Sequence, residues 1–322
     1  MTRRTRKTLL IVLTVLVLLA LAIFLRSKAP PEAARLLPES DGILYANLRP
    51  IRAFLHKNGE LSPAPPRDPE YQQFIAATNI DWERDLDEAA IAIHKMPNPN
   101  GPNGPVAYSM VLVGTLNGKT LAAYLESHGA QKETYAGHTI YSLPSEGRTV
   151  RICQIGYDMV AISNTPSTEQ IHSIIDRHRS AALPFSGSTL LIHHFSEVPL
   201  LSLAWGVGQI GLPFSESGKI HILGLELPIP ADTTLVVSAR WAGSIHLRLD
   251  ADTPDPATAL NQASEIATLL SLARTVTPQL TQDTTPAGQA NNALLQILST
   301  AQVEAHKEKL TATASIDPSK LK

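Results

Sequence analysis

The chain has 322 residues, 43% of them apolar, 5% aromatic and 17% charged, with a formal net charge of −2. That length and apolar content suffice for a folded core, while a lone cysteine, Cys153, excludes an intramolecular disulfide framework. Sparse aromatics that do not interleave with Lys and Arg argue against a nucleic-acid or sugar-stacking surface.

The first element predicted is a membrane span, "TLLIVLTVLVLLALAIFL", Thr8 to Leu25, with no charged side chain. Eighteen helical residues cover roughly 27 Å, close to the roughly 30 Å hydrocarbon core of a bilayer. Arg3, Arg4, Arg6 and Lys7 precede it and only Arg26 and Lys28 follow closely, so the positive-inside rule leaves the N-terminus cytoplasmic. Ala20, Leu21 and Ala22 form a cleavage-like A-x-A, the mark of a removable signal peptide. Ile23, Phe24 and Leu25 carry the apolar run past that point, and the expectation is an uncleaved signal anchor. No cysteine follows that would make a lipid-anchored terminus.

Residues 1–28 thus form a basic cytoplasmic tip and anchor in an inner (plasma) membrane, and the rest is extracytoplasmic or periplasmic. Residues 29–322 hold 21 basic against 29 acidic residues, a net of −8. Such a domain repels phosphate backbones, so neither nucleic acid nor nucleotide is an expected partner.

"APPEAARLLP" reads as a semi-extended spacer over 29–40. A first α+β half is predicted over 41–184. It begins with a strand in "GILYANL", a helix from near Pro50, a Pro-rich loop and a helix in "PEYQQFIAA". "EAAIAIHK" and "VAYSMVLVGTL" then pair across the turn residues "PNPNGPNGP". "GKTLAAYLESHG" is a helix capped by Asn117 and ended by Gly129. Strands follow in "KETYAGHTIYSL", "RTVRICQIG" and "DMVAIS", with Cys153 as a buried small hydrophobe, and Thr165–Pro166 open a helix with a stripe of Ile171, Ile174, Ile175 and His178.

A second half over 185–322 repeats that order. "TLLIHHF" reads as a strand and "SEVPLLSLAWG" as a helix; "TTLVVSARW" and "SIHLRLDAD" pair across Ala242–Gly243. A long helix begins at Pro256 behind Asp255, a helix lies around Ala290–Leu298, and "QVEAHKEKL" and "LTATASI" close the chain. The fold class is α+β: antiparallel sheets with helices packed on one face of each, in two similar halves.

The motifs that suggest chemistry do not meet its spacing. "GVGQIG", Gly206 to Gly211, matches a dinucleotide fingerprint, but helical-looking sequence precedes it and no helix follows. It is expected to be a flexible helix end. His193 and His194, adjacent on an expected strand, face opposite ways; His172 and His178, six apart, suit joint ligation poorly. His128 suits the negative end of its helix. The acidic run Asp81, Glu83, Asp85, Asp87 and Glu88 lacks calcium-loop spacing and reads as a solvated loop, and in "DADTPD" Pro254 occupies a ligand position. No serine-nucleophile motif occurs. No cofactor, no metal and no nameable catalytic residue are expected.

With these segments in view, the chain resembles uncharacterised bacterial proteins made of an N-terminal anchor and a large extracytoplasmic region of unknown function. "LLPESDGILYANL", "NIDWERDLDEAAIA", "LVGTLNGKTLAAYLESHG" and "YAGHTIYSL" carry the likeness. It implies the same layout and brings no site residues. The expected function is a non-enzymatic binding or envelope-assembly module with an envelope protein partner. The alternatives are a lipid- or apolar-ligand-handling domain and a hydrolase with a non-local site.

Overall fold

Near the middle of one large sheet runs "GILYAN", Gly42–Asn47 (β1), whose alternating side chains serve two opposite faces. The computed structural model describes residues 29–317 except 59–67, 102–103, 146, 181–182, 184–185, 210–220, 223–224, 227–228, 231–232 and 277–296, together with Thr14. The predicted anchor, Thr8–Leu25, therefore lies outside the described residues apart from Thr14. Among the described residues no helix is long and apolar enough to cross a membrane.

The chain proceeds through α1 (Glu32–Leu36), β1, α2 (Leu48–Asn58), α3 (Pro69–Thr78), α4 (Trp82–Asp85), β2 (Leu86–Lys95), β3 (Val106–Gly114) and α5 (Gly118–Ser127). Strands β4 (Gln131–Tyr135), β5 (His138–Ser145), β6 (Arg148–Gln154) and β7 (Met159–Ser163) precede α6 (Glu169–Arg179) and α7 (Thr189–His194). After a 3-10 turn at Phe195–Glu197 come β8 (Ser202–Gln209), the short pair β9 (His221–Ile222) and β10 (Leu225–Glu226), β11 (Thr234–Trp241) and β12 (Ile245–Asp252). The last are α8 (Pro256–Val276), β13 (Gln302–His306) and β14 (Lys309–Ile316).

The α+β class holds, with a large antiparallel sheet and packed helices. Its strands form one 12-stranded sheet, in the order β13-β14-β12-β11-β8-β1-β2-β3-β7-β6-β5-β4. This corrects the expectation of a sheet for each half: β8, from beyond residue 185, pairs directly with β1. Tyr45 opposes Trp205, and Ile43 opposes Val207. Two strands left with open edges would expose unpaired backbone; pairing them joins both segments into one ladder.

Helices cover both faces, again unlike the expectation of one covered face. On one, α1, α6 and α7 bury Ala34, Leu36, Ile171, Ile174, Ile175 and Leu191 against Ile43, Ala92, Val111, Cys153 and Ala161. On the other, α3 and α5 bring Phe74, Leu121 and Leu125 onto Val160, Ile152 and Ile162. The alternation Ile152, Cys153 and Val160, Ala161 assigns successive residues to opposite cores. Helix α8 packs Ala263 and Ile266 on Leu235, Ala251 and Leu310.

Local signals placed several elements as expected. The Asn117 side chain accepts from the backbone N–H groups of Lys119 and Thr120, and Gly129 adopts φ +79° just past α5. Asp255 accepts from Thr258 N at 2.9 Å at the start of α8. Other segments differ. The spacer is a helix, with Ala33, Ala34, Leu36 and Leu37 buried, because its two alanines let the backbone approach β2 and β3 closely. "TLLIHH" is α7, because the Ser188 hydroxyl caps it and Leu191 anchors it in the core. "SLAWGVGQ" is β8, and its glycines are required by packing. A Cβ on Gly206 would lie 2.7 Å from Leu44 Cδ2, and one on Gly208 2.7 Å from Gly42 Cα. The fingerprint-like glycines thus serve close strand approach; Ile210 and Gly211 lie outside the described residues. Of the helix expected around Ala290–Leu298, residues 297–300 are described and helical.

Candidate functional site

Strand register brings the ends of β1, β2, β3, β7 and β8 together, and α1 and the α7–β8 connection rise above them. Between these lies a groove of about 950 Å³. Its floor is aromatic: Tyr45 and Trp205 stack at 5.4 Å between ring centroids, and Phe195 meets Trp205 edge-on at 5.4 Å. Glu88 enters from β2, opposite Asn47. Burial pushes the Glu88 carboxyl above its ordinary value, against the pull of a hydrogen bond from the Tyr45 hydroxyl and of Arg49. The Tyr45 phenol is pushed up in turn, first by burial and then by Glu88.

Ala29, Pro30, Pro31 and Arg35 form one wall, so the segment just past the predicted anchor is part of the site. Arg35 donates to the Leu183 carbonyl at 2.8 Å. The opposite rim is a tight turn, in which Ser202 N donates to Pro199 O at 3.3 Å and Leu201 has φ +63°. Leu200, Leu201 and Ile192 are exposed on that rim.

The residues singled out from sequence are dispersed. Asp81 caps α4, accepting from Glu83 N at 3.1 Å and from the Tyr71 hydroxyl at 3.1 Å. Asp85 accepts from Asp81 N at 2.9 Å and from Arg84 at 2.7 Å; Arg84 lowers its carboxyl against the opposing effect of burial. Asp87 holds Arg49 and Arg52, each at 2.5 Å. The acidic run is therefore a capped helix leading into β2, which corrects the solvated-loop reading: carboxylates satisfy backbone donors at the helix start.

His193 and His194 sit on a helix, which corrects the strand reading; His193 is exposed, while His194 Nδ1 meets Glu197 Oε1 at 2.8 Å. His172 stacks on Tyr135 at 3.7 Å, and His178 lies edge-on to His138 at 6.4 Å. His128 Nδ1 donates to the Tyr124 carbonyl at 2.8 Å, at the helix end expected for it. Cys153 is fully buried, and burial pushes its thiol up to about 12.

Two clusters were not legible in the sequence. His194, Glu197 and Asp252 bring potential ligand atoms within 4.8 Å of one another. Lys309 sits among them, bonded to Glu197 and 3.5 Å from Asp252, and its ammonium supplies the positive charge there. Burial pushes Glu197 up, but Lys309 and His194 outweigh it and hold the carboxyl low. In the sheet, His94 Nε2 lies 2.9 Å from Ser109 Oγ, which is 3.3 Å from Ser163 Oγ. Ser109 has no exposed surface, so this Ser–His pair offers a substrate no approach. Burial also pushes His94 down, keeping it neutral. The β2–β3 hairpin register was the signal that could have paired them.

No protein-family model matches the chain, and no curated protein matches it. Among solved structures, crystal form I of TP0453 is similar at TM-score 0.44 and 12% identity, over 91% of this chain and 96% of that one. Crystal form III of TP0453 is similar at TM-score 0.45 and 11% identity, over 90% of this chain and 97% of that one.

Proposed function

We propose that the protein is a single-pass, membrane-anchored extracytoplasmic module that binds rather than catalyses. Its N-terminus is cytoplasmic, and its folded domain holds an envelope protein or an uncharged envelope component at the groove. The observation that carries this reading is the burial of Ala33, Ala34, Leu36 and Leu37 immediately beyond the predicted span. A tether docked into the core fixes the domain's orientation, and anchoring raises local concentration without new contacts. The engagement of Asp81, Asp85 and Asp87 in caps and ion pairs supports binding over catalysis, as does the enclosure of Ser109 and His94.

Two measurements test this. Mass spectrometry of the purified protein should return an intact chain in the membrane fraction; a mature N-terminus at Ile23 overturns the anchor. In cells where deletion gives an envelope phenotype, folded His193→Ala and His194→Ala variants should complement fully. Loss of function from either with stability unchanged would assign a catalytic or metal role. A lipid-handling role is the second reading, favoured by the apolar and aromatic surface of the groove.

A further inference from the structure

Strand register collects four of the eight exposed large apolar side chains among the described residues at one end of the sheet. Running across it, Arg240 pairs with Ser202, Ala204 with Ala46, Asn47 with Glu88, Glu88 with Val113, and Val113 with Met159. This end carries Trp241 as the last residue of β11, Leu200–Leu201 in the turn before β8 and Tyr157 in the turn before β7. They are 37%, 47%, 86% and 88% exposed, in that order. Strands β11 and β7 are five ladder steps apart in the sheet, so the row is about 24 Å long. An amphipathic aromatic stands at each flank, and the leucines lie one ladder step from the Trp241 flank and four from the Tyr157 flank. Leu201 also adopts a left-handed conformation that favours Gly or Asn at that turn position, so the turn keeps an exposed leucine at a backbone cost.

The same end receives the chain from the predicted span. Ala29 lines the groove beside Asn47, Glu88 and Leu201. Leu25 and Ala29 are four residue steps apart, at most about 14 Å of extended chain. The headgroup zone is itself roughly 5–8 Å deep on each side. Resting on the anchored reading, we infer that this end of the sheet is a membrane-docking face: Leu200 and Leu201 enter the outer leaflet of the bilayer that holds the anchor, Tyr157 and Trp241 sit at headgroup level, and the groove opens onto lipid. Tyr and Trp suit that level because their rings are apolar while one edge remains hydrogen-bonded to water. Both signs of charge occur here, with Glu32, Glu88 and Asp158 against Arg35 and Arg240. A zwitterionic lipid is therefore the matching surface, and salt has little effect on the contact.

The full-length protein is placed in phosphatidylcholine nanodiscs containing lipid spin-labelled near the top of its acyl chain. A fluorophore is attached at Leu201→Cys, Tyr157→Cys or, at the opposite end of the sheet, Asn100→Cys. Cys153 is buried with its thiol raised to about 12, so it does not label in the folded protein. Strong quenching is expected at position 201, intermediate quenching at 157 and none at 100, unchanged between low and high salt. Adding Leu200→Ser and Leu201→Ser to the Tyr157→Cys protein should reduce its quenching several-fold with circular dichroism unchanged. Protein that enters the discs but shows no quenching at 201 overturns the docking face alone. Protein that fails to enter them overturns the anchored reading and this inference with it.

Discussion

The face of the sheet beneath α1 changes character along its width. At β1 to β3 it presents Ile43, Ala90, Ala92 and Val111, all buried under α1, α6 and α7. At β12 and β14 the same face carries Asp250, which accepts from Arg248 at 2.8 Å and from the Thr311 hydroxyl at 2.7 Å. Register ties the two regions together, since Val207 opposes both Ile43 and Val236, and Val236 opposes Asp250. Continuous hydrogen bonding in the ladder therefore does not require a continuous core. One region gains stability from apolar area removed from water, the other from directed polar contacts, and the two differ in magnitude and in pH response.

Truncation within the apolar region should have the largest effect. Leu36→Ala or Ile43→Ala should each cost about 2–5 kcal/mol, because both leave a cavity in packed surroundings. Chemical denaturation would register this as a lower midpoint with an unchanged slope. Similar losses at α1 and β1 would show that the segment after the span belongs to the same cooperative unit; a silent Leu36→Ala would detach it.

Asp250→Ala should cost less, about 1–3 kcal/mol, since it leaves Arg248 half-exposed and able to recover water. A loss as large as that of Ile43→Ala would erase the contrast between the two regions.

Two carboxylates give smaller effects of opposite sign. Glu197 titrates below its ordinary value of 4.5 because Lys309 and His194 outweigh burial. The stability it lends is present above 4.5 and is lost as pH falls through the lower folded value. Glu197→Gln should therefore cost about 1 kcal/mol or less at pH 7, with the difference closing in acid. Glu88 is raised above 4.5, first by burial. Its contribution is complete below 4.5 and is lost as pH rises through the higher folded value. Glu88→Gln should slightly raise the thermal midpoint at pH 7 and leave it unchanged near pH 4. A destabilised Glu88→Gln protein at pH 7 would mean that the charge itself is held in the groove.

Local codes made much of the fold legible. The hairpin turn falls at Ala136–Gly137 as expected, with φ of +52° and +85°, of which only the glycine's is favoured by its residue type, and Asn117 and Asp255 cap the helices assigned to them. The site was not legible. Nothing near Glu88 in sequence announces Tyr45, 43 positions away, and Trp205 comes from a segment whose periodicity suggests a helix. In "TLLIHHF" the β-branched residues favour a strand, but a serine cap and one buried leucine decide the outcome.

By itself, the sequence determined the apolar run at Thr8–Leu25, the acidic balance of residues 29–322 and the elements whose caps, turns and periodicity agree. The run and each of these elements are set by residues within a few positions of one another, and the charge balance by composition alone. Only the tertiary structure decided that the spacer folds into the core, that β1 pairs with β8 to make one sheet, and that a groove opens where their ends meet. Those outcomes depend on which distant backbone edges and apolar faces are left to satisfy one another, and a local stretch of sequence does not carry that information.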